Sequence, residues 1–362
     1  MSKEFDIKKN SFTSLDRIHD SFALIKKIKS DLLYGNIEID KDPFISLIIP
    51  TYSRTVFFKE ALDSVLRQEE TGFRWEILVV DNTPLSTDGT TPALEIVREF
   101  SCPRVLFYHN RQNIGAGYNW NRGVELARGQ WVSFLHDDDL LCSDALKNIG
   151  EIIFHCLHLK KPLGYIHAKR KDFSEQFDEK AAKRHDKPFL RRLTRTGALV
   201  KGESQTGAPS CGTTILKEAY REAGGINYDF GGTADAILGY IIMKDYTVVE
   251  SGKVLGGYRW AENATLRRET IFNLVEADFY FSQYRYSISI VSKFFGIMFW
   301  RIQYNQNISR KIEFLKKYNI NIQKSDFNFI IPYKRCSCFK YIIYKMINKV
   351  YYFINKTCRI YI

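Results

Sequence analysis

The sequence predicts an α/β protein: a mostly parallel sheet with helices on both faces. Three observations carry this. Short apolar runs stop abruptly at polar residues, segments of helical period separate them, and the two patterns alternate four times with short connections. In such sheets the ligand crevice lies beyond the carboxyl ends of the strands, so the residues just after each run deserve inspection for chemistry.

The chain opens with a segment in which Leu15, Ile18, Phe22, Ile25 and Ile28 fall at helix spacing with lysines between them, which predicts a helical extension over residues 1–42. Its apolar stripe must cover either the main domain or a second subunit, so an oligomer is open. Ile45 to Ile49 is a strand buried on both faces, ending at Pro50 and leading into Thr51, Tyr52 and Arg54. The next helix carries Phe57, Phe58, Ala61, Leu62, Val65 and Leu66 on one face. A second strand, Trp75 to Val80, stops at Asp81, and Pro92 suits the first turn of the following helix. Arg104 to Tyr108 is the third strand, followed by the glycine-containing stretch Asn113 to Gly117 and another helix. Trp131 to Leu135 is the fourth and ends in His136-Asp137-Asp138-Asp139. Four strand ends therefore converge on one mouth.

Charge and cysteine content narrow the class. A net charge of +12 calls for an acidic partner. Seven cysteines without regular spacing read as reduced thiols. Met1 to Asn10 lacks a signal-peptide pattern, and no segment offers the ~18 uninterrupted apolar residues of a spanning helix. The setting read from this is cytoplasmic, either soluble or in peripheral contact with a membrane. That contact rests on the last thirty residues, Tyr333 to Ile362, where seven Lys or Arg and no acid interleave with aromatic and aliphatic side chains, a mixture suited to an anionic leaflet or to ordinary packing. Between Lys160 and Arg195, twelve Lys or Arg face five Asp or Glu, in a stretch that either contacts an anionic acceptor or is solvated surface.

Three adjacent carboxylates at a strand end repel unless a cation neutralises them, and Mg²⁺ or Mn²⁺ is the usual remedy. The plain alternative is a solvated acidic turn in which Asp139 or Ser143 caps the following helix. Asp81 can accept a hydrogen bond from a pyrimidine ring N–H or simply start a turn, and Arg54 can pair with phosphate, stack on a base or lie solvated.

The ordered segments IIPTYSR, VVDNTPLSTDGT, NIGAGYNWNRGVELARGQWVSFLHDDDLL and GGINYDFGGTADAILGYIIMKDYTVV resemble the inverting glycosyltransferases of family 2. The resemblance runs from about Pro43 to Thr265 and implies a GT-A, Rossmann-like domain over residues 43–265, followed by a mainly helical, basic-aromatic region over 266–362. It further implies that Thr51, Tyr52 and Arg54 border a nucleotide, with Asp81 on its base and Asn113 and Gly115 in the loop beneath it. The acidic run resembles the family's Asp-x-Asp-Asp signature with His136 in the first place. On that footing Asp138 and Asp139 ligate the metal, and Asp137 lies nearer the ribose or behind the ligands. Asp235 occupies the place of the catalytic base, without the acidic neighbour that usually precedes it. Arg259 is similar to a cation that approaches the diphosphate, and Trp260 to an aromatic that faces the acceptor. The activity implied is metal-assisted transfer, with inversion, from a nucleotide-diphosphate sugar (a UDP sugar in the first instance) to a glycan or lipid-linked acceptor in surface-polysaccharide assembly. Two rivals are weaker. A nucleotidyltransferase would carry glycine in Pro50 to Arg54, and a nucleic-acid-binding module rests on charge and aromatic content alone, so nucleic acid is not expected as a partner.

Overall fold

The computed structural model describes Phe12, Leu15 and residues 20–39, 41–202, 206, 209–260, 267–318, 320–327, 338–357 and 360–361. In chain order the elements are β1 (Ser30–Tyr34), β2 (Ile45–Thr51), α1 (Val56–Leu66), β3 (Trp75–Asp81), α2 (Pro92–Phe100), β4 (Val105–Asn110), α3 (Ala116–Leu126), β5 (Trp131–Phe134), β6 (Leu140–Leu141) and α4 (Ala145–His155). There follow β7 (Leu163–Phe173), α5 (Glu179–Lys183), β8 (Phe189–Leu193), α6 (Arg195–Lys201), β9 (Thr213–Leu216), α7 (Lys217–Glu222), α8 (Ala234–Ile242) and β10 (Thr247–Arg259). Helices α9 (Arg268–Ser287), α10 (Ile290–Lys316) and α11 (Cys338–Thr357) and a short strand β11 (Ile360–Tyr361) complete the described chain.

One mixed sheet runs β1-β4-β3-β2-β5-β9-β7-β10-β8-β11, with β6 added to β10. The block β4-β3-β2-β5 is parallel throughout, as the apolar runs predict, and β7 pairs β10 in parallel. Antiparallel β9 bridges the two parallel blocks. Strands β2 and β3 are buried along their whole length because each alternates between two cores. Ile45, Leu47 and Ile49 meet Phe58, Leu62 and Val65 of α1 on one face. Ile48, Leu78 and Val80 meet Val124 of α3 and Tyr220 and Ile237 beyond it on the other. Helix α3 comes close enough to the sheet that a Cβ on Gly123 would lie 2.4 Å from Ile48 Cγ2.

The N-terminal extension departs from the continuous helix its spacing predicts. Among the described residues it comprises a 3-10 turn over Ser21–Leu24 and the strand β1, which pairs antiparallel with β4. The apolar residues are nevertheless buried: Leu15, Phe22 and Ile25 join the core on the α3 side, so the stripe covers the domain itself. Arg122 of α3 fastens this segment by donating to the carbonyl of Ile25 at 2.6 Å. Ile18 lies outside the described residues.

Candidate active site

The ends of β2, β3, β4 and β5 are joined by hydrogen bonds as well as by proximity. Thr51 Oγ1 donates to Asp137 Oδ2 at 2.8 Å, tying the end of β2 to the acidic loop after β5. Ser53 N donates to Thr83 Oγ1 at 2.7 Å, tying the turn after β2 to the turn after β3. Asn82 Nδ2 donates to the carbonyl of Gly115 at 3.2 Å, and Asn110 Nδ2 donates to Asn82 Oδ1 at 2.8 Å, which brings in β4 and the start of α3. Gly115 caps that helix with φ +80°, a left-handed conformation that favours glycine. Asn113 is exposed at the rim, its side-chain oxygen accepting from Gly115 N at 2.8 Å.

Asp81 is fully buried. It accepts from Thr83 N at 2.8 Å, Thr83 Oγ1 at 2.6 Å and Thr91 Oγ1 at 2.7 Å, while burial pushes its carboxyl above the usual range. Tyr52, next to Thr51 in sequence, is half exposed, and Arg54 reaches the acidic loop, with Nε 4.0 Å from Asp137 and Nη2 3.6 Å from Asp138. Burial, reinforced by the charge of Asp138, raises the Asp137 carboxyl to about 7, against the opposing pull of Thr51 and Arg54.

The three aspartates have different surroundings. Asp139 is completely buried: Oδ1 accepts from Arg259 N at 2.9 Å, and Oδ2 accepts from Ser210 Oγ and, at 3.4 Å, from Cys211 Sγ. Asp138 is half-buried at the mouth, and its carbonyl is held by Arg259 Nε at 2.8 Å. His136, Asp138 and Asp139 each offer a ligand atom, all within 4.8 Å of one another. That donor set suits a divalent cation, since a carboxylate retains lone pairs after accepting two or three hydrogen bonds and His136 Nε2 is buried without a partner among the described residues.

Arg259 is built into this loop. Its guanidinium lies between the rings of Phe57 and Phe173, 4.5 and 4.6 Å from their centroids, and also bonds Glu60. The sequence reading assigns it to the diphosphate; in the structure its Nε donates to the carbonyl of Asp138. Trp260 packs against Phe314 and Tyr318, with centroids 4.8 and 5.4 Å away, and so joins the core domain to the end of α10.

Asp235 lies in the first turn of α8, accepting from Ala236 N at 2.6 Å. Burial raises its carboxyl to about 6, opposed by the nearby charges of Arg170 and His136. Burial is the main cause of the rise, and the charge of Asp278 adds to it. Sequence reading missed Ser210, Cys211 and Glu60, which hold Asp139 and Arg259, and Arg170, whose guanidinium sits 3.9 Å over the ring of Tyr258. None falls in a segment with a motif; only the tertiary fold brings them in.

Residues 46–222 match the Glycosyl transferase family 2 profile. Abequosyltransferase RfbV of Salmonella typhimurium is 34% identical over 102 residues, 28% of this chain and 30% of its own length. The GalNAc(5)-diNAcBac-PP-undecaprenol beta-1,3-glucosyltransferase of Campylobacter jejuni is 32% identical over 107 residues, 30% of this chain and 33% of its own length. The chain thus spans about a third of the length of these curated relatives. The crystal structure of S. aureus TarS 1-349 in complex with UDP-GlcNAc aligns with a TM-score of 0.49 at 16% identity, covering 70% of this chain and 73% of that one. Over residues 46–222, just under half of its length, the chain is therefore similar to Glycosyl transferase family 2, on an α/β plan with a mostly parallel sheet.

Proposed function

We propose that this protein transfers a sugar, with inversion, from a nucleotide-diphosphate sugar, preferably UDP-linked, to a glycan or lipid-linked acceptor in polysaccharide biosynthesis. The observation that carries this reading is that the buried Asp81 and the Asp137–Asp139 loop are tied through the end of β2, Asp81 by way of Thr83 to Ser53 and the loop by Thr51 to Asp137. Asp81 accepts from the base, with Thr51, Tyr52 and Arg54 along the nucleotide and Asn113 and Gly115 beneath it. Asp235 orients the acceptor hydroxyl and takes its proton as that oxygen forms a bond to the anomeric carbon; the bond to the diphosphate breaks on the opposite face, and the nucleoside diphosphate leaves. Asp138 and Asp139, with His136 beside them, would hold Mg²⁺ or Mn²⁺, which when bound supplies Lewis-acid stabilisation of the leaving diphosphate. Arg259 acts by holding the loop, and Trp260 borders the acceptor side. The undecaprenol in the name of the Campylobacter relative supports a lipid-linked acceptor and a setting at the membrane.

The test is thermal stabilisation by UDP with and without Mn²⁺, followed by a screen of sugar nucleotides for metal-dependent hydrolysis. Metal-dependent stabilisation supports the assignment, and no shift with any nucleoside diphosphate would sink it.

A further inference from the structure

Helices α10 and α11 pack together and leave apolar surface uncovered on both. Their shared core is formed by Phe299, Ile302 and Tyr344, with the ring of Tyr344 5.7 Å from that of Phe299. Through the same side α11 reaches α6: Tyr344 Oη donates to the carbonyl of Lys201 at 3.3 Å, and Tyr351 Oη lies 3.1 Å from Thr194 Oγ1. That face of α11 is therefore occupied by the protein.

A second stripe on α11 is not. Phe339, Ile342, Met346, Val350 and Phe353 recur at spacings of three and four, the repeat of one helix face, and all are exposed. The start of α10 presents more of the same: Ile290, Val291, Phe294 and Ile297 are 88%, 76%, 65% and 66% exposed. Large side chains contiguous in this way are uncommon on a surface that faces only water. Cations predominate in the sequence of both helices. Helix α10 carries five Lys or Arg and one Glu, with Lys311 paired to Asp278 of α9 at 3.4 Å, and residues 333–362 contain seven Lys or Arg and no acid. Lys293, Lys345 and Lys349 are exposed close to the stripes, placed to run their stems along apolar surface and keep their ammonium groups at a polar boundary.

We infer that the start of α10 and the outer stripe of α11 form one docking face for an anionic lipid leaflet, entered by the apolar side chains and attracted by the lysines. A second copy of the chain would set cation against cation on this face. No helix among the described residues is long and apolar enough to cross a membrane, so the contact is interfacial. The inference deepens the membrane setting proposed above by naming the surface, and it requires no sugar transfer.

The experiment is flotation of the full chain with vesicles of phosphatidylcholine alone or mixed with phosphatidylglycerol, at low and high salt. The wild type floats with the anionic vesicles and is released by salt. Phe294→Ser with Ile297→Ser, and separately Ile342→Ser with Phe353→Ser, lower partitioning roughly tenfold or more, because each removes buried apolar area from the bilayer contact. Lys345→Glu with Lys349→Glu abolishes the preference for anionic lipid. All alter exposed side chains, and unchanged melting curves check that each variant folds. Equal flotation with neutral vesicles, or apolar variants that bind like the wild type, overturns the inference. A dimer in sedimentation that the same variants dissociate also overturns it, since the face would then belong to a second copy. UDP stabilisation in the same preparations reports the active site separately, so its absence with vesicle binding intact counts against transfer alone.

Discussion

Arg259 grips the acidic loop twice, donating from its backbone N–H to Asp139 Oδ1 at 2.9 Å and from Nε to the carbonyl of Asp138 at 2.8 Å. The last residue of β10 thereby sets the position of the loop that follows β5, and the two neighbouring aspartates acquire different duties.

Asp138→Asn and Asp139→Asn separate those duties. Asn at 138, at the open mouth, leaves the melting temperature of the ligand-free protein nearly unchanged and removes stabilisation by UDP with Mn²⁺. Asn at 139 turns an amide toward groups that were donating to a carboxylate, at a cost of about 1–3 kcal/mol. Urea denaturation with and without metal distinguishes the two.

Arg259→Lys keeps the charge and loses the planar fork that lies between Phe57 and Phe173 while bonding Asp138 and Glu60. We expect a loss of roughly 2 kcal/mol in urea unfolding, on the scale of hydrogen bonds to charged groups. Weaker donor binding should accompany a smaller change in turnover. A variant with wild-type stability would remove the clamp from the account.

Asp235→Asn cuts turnover by roughly 100-fold or more, the usual range for a general base, and leaves UDP affinity near wild type. The wild-type profile of kcat/KM should fall as pH drops through about 6, where the carboxyl protonates. Loss of that acid limb in the variant checks the assignment; an unchanged limb assigns it to another group.

The stability that Asp137 and Asp235 contribute should rise as pH is lowered, while His167, whose imidazole burial holds well below its usual range, pulls the other way as pH falls through 6.5. Burial raises Asp137 to about 7 and Asp235 to about 6, above their unfolded values, so the folded state binds more protons across this window. The stability they contribute is present in full below the unfolded value and is lost as pH climbs through 6 and 7. The difference in melting between the wild type and Asp137→Asn, followed from about pH 8 to about pH 5.5, tests the direction. Asp137→Asn should flatten part of the slope.

The parallel half of the sheet was legible because strands buried on both faces are written as unbroken apolar runs, and the residues after each run, Thr51, Asp81 and the Asp137–Asp139 loop, proved to be bonded together. Strand β1 was not legible: an edge strand such as Ser30–Tyr34 draws its conformation from β4, while its flanking apolar residues carry a helix-like spacing. Ser210 and Cys211 were invisible for a related reason. Their meaning lies in a buried carboxylate some seventy residues earlier, and no local period marks such a partner.

The parallel register of β7 and β10 has an evolutionary consequence. Phe173 stands opposite Arg259 at the end of that ladder and lies against its guanidinium. Register shifts interrupt the ladder as far as Gly256, but the pairs from Arg170–Gly256 to Phe173–Arg259 are regular, so an insertion or deletion between Arg170 and Phe173 would part this last pair and loosen the hold of Arg259 on the Asp138 carbonyl. Changes of length are accommodated instead in the turn after Phe173, beyond the last pair of the ladder.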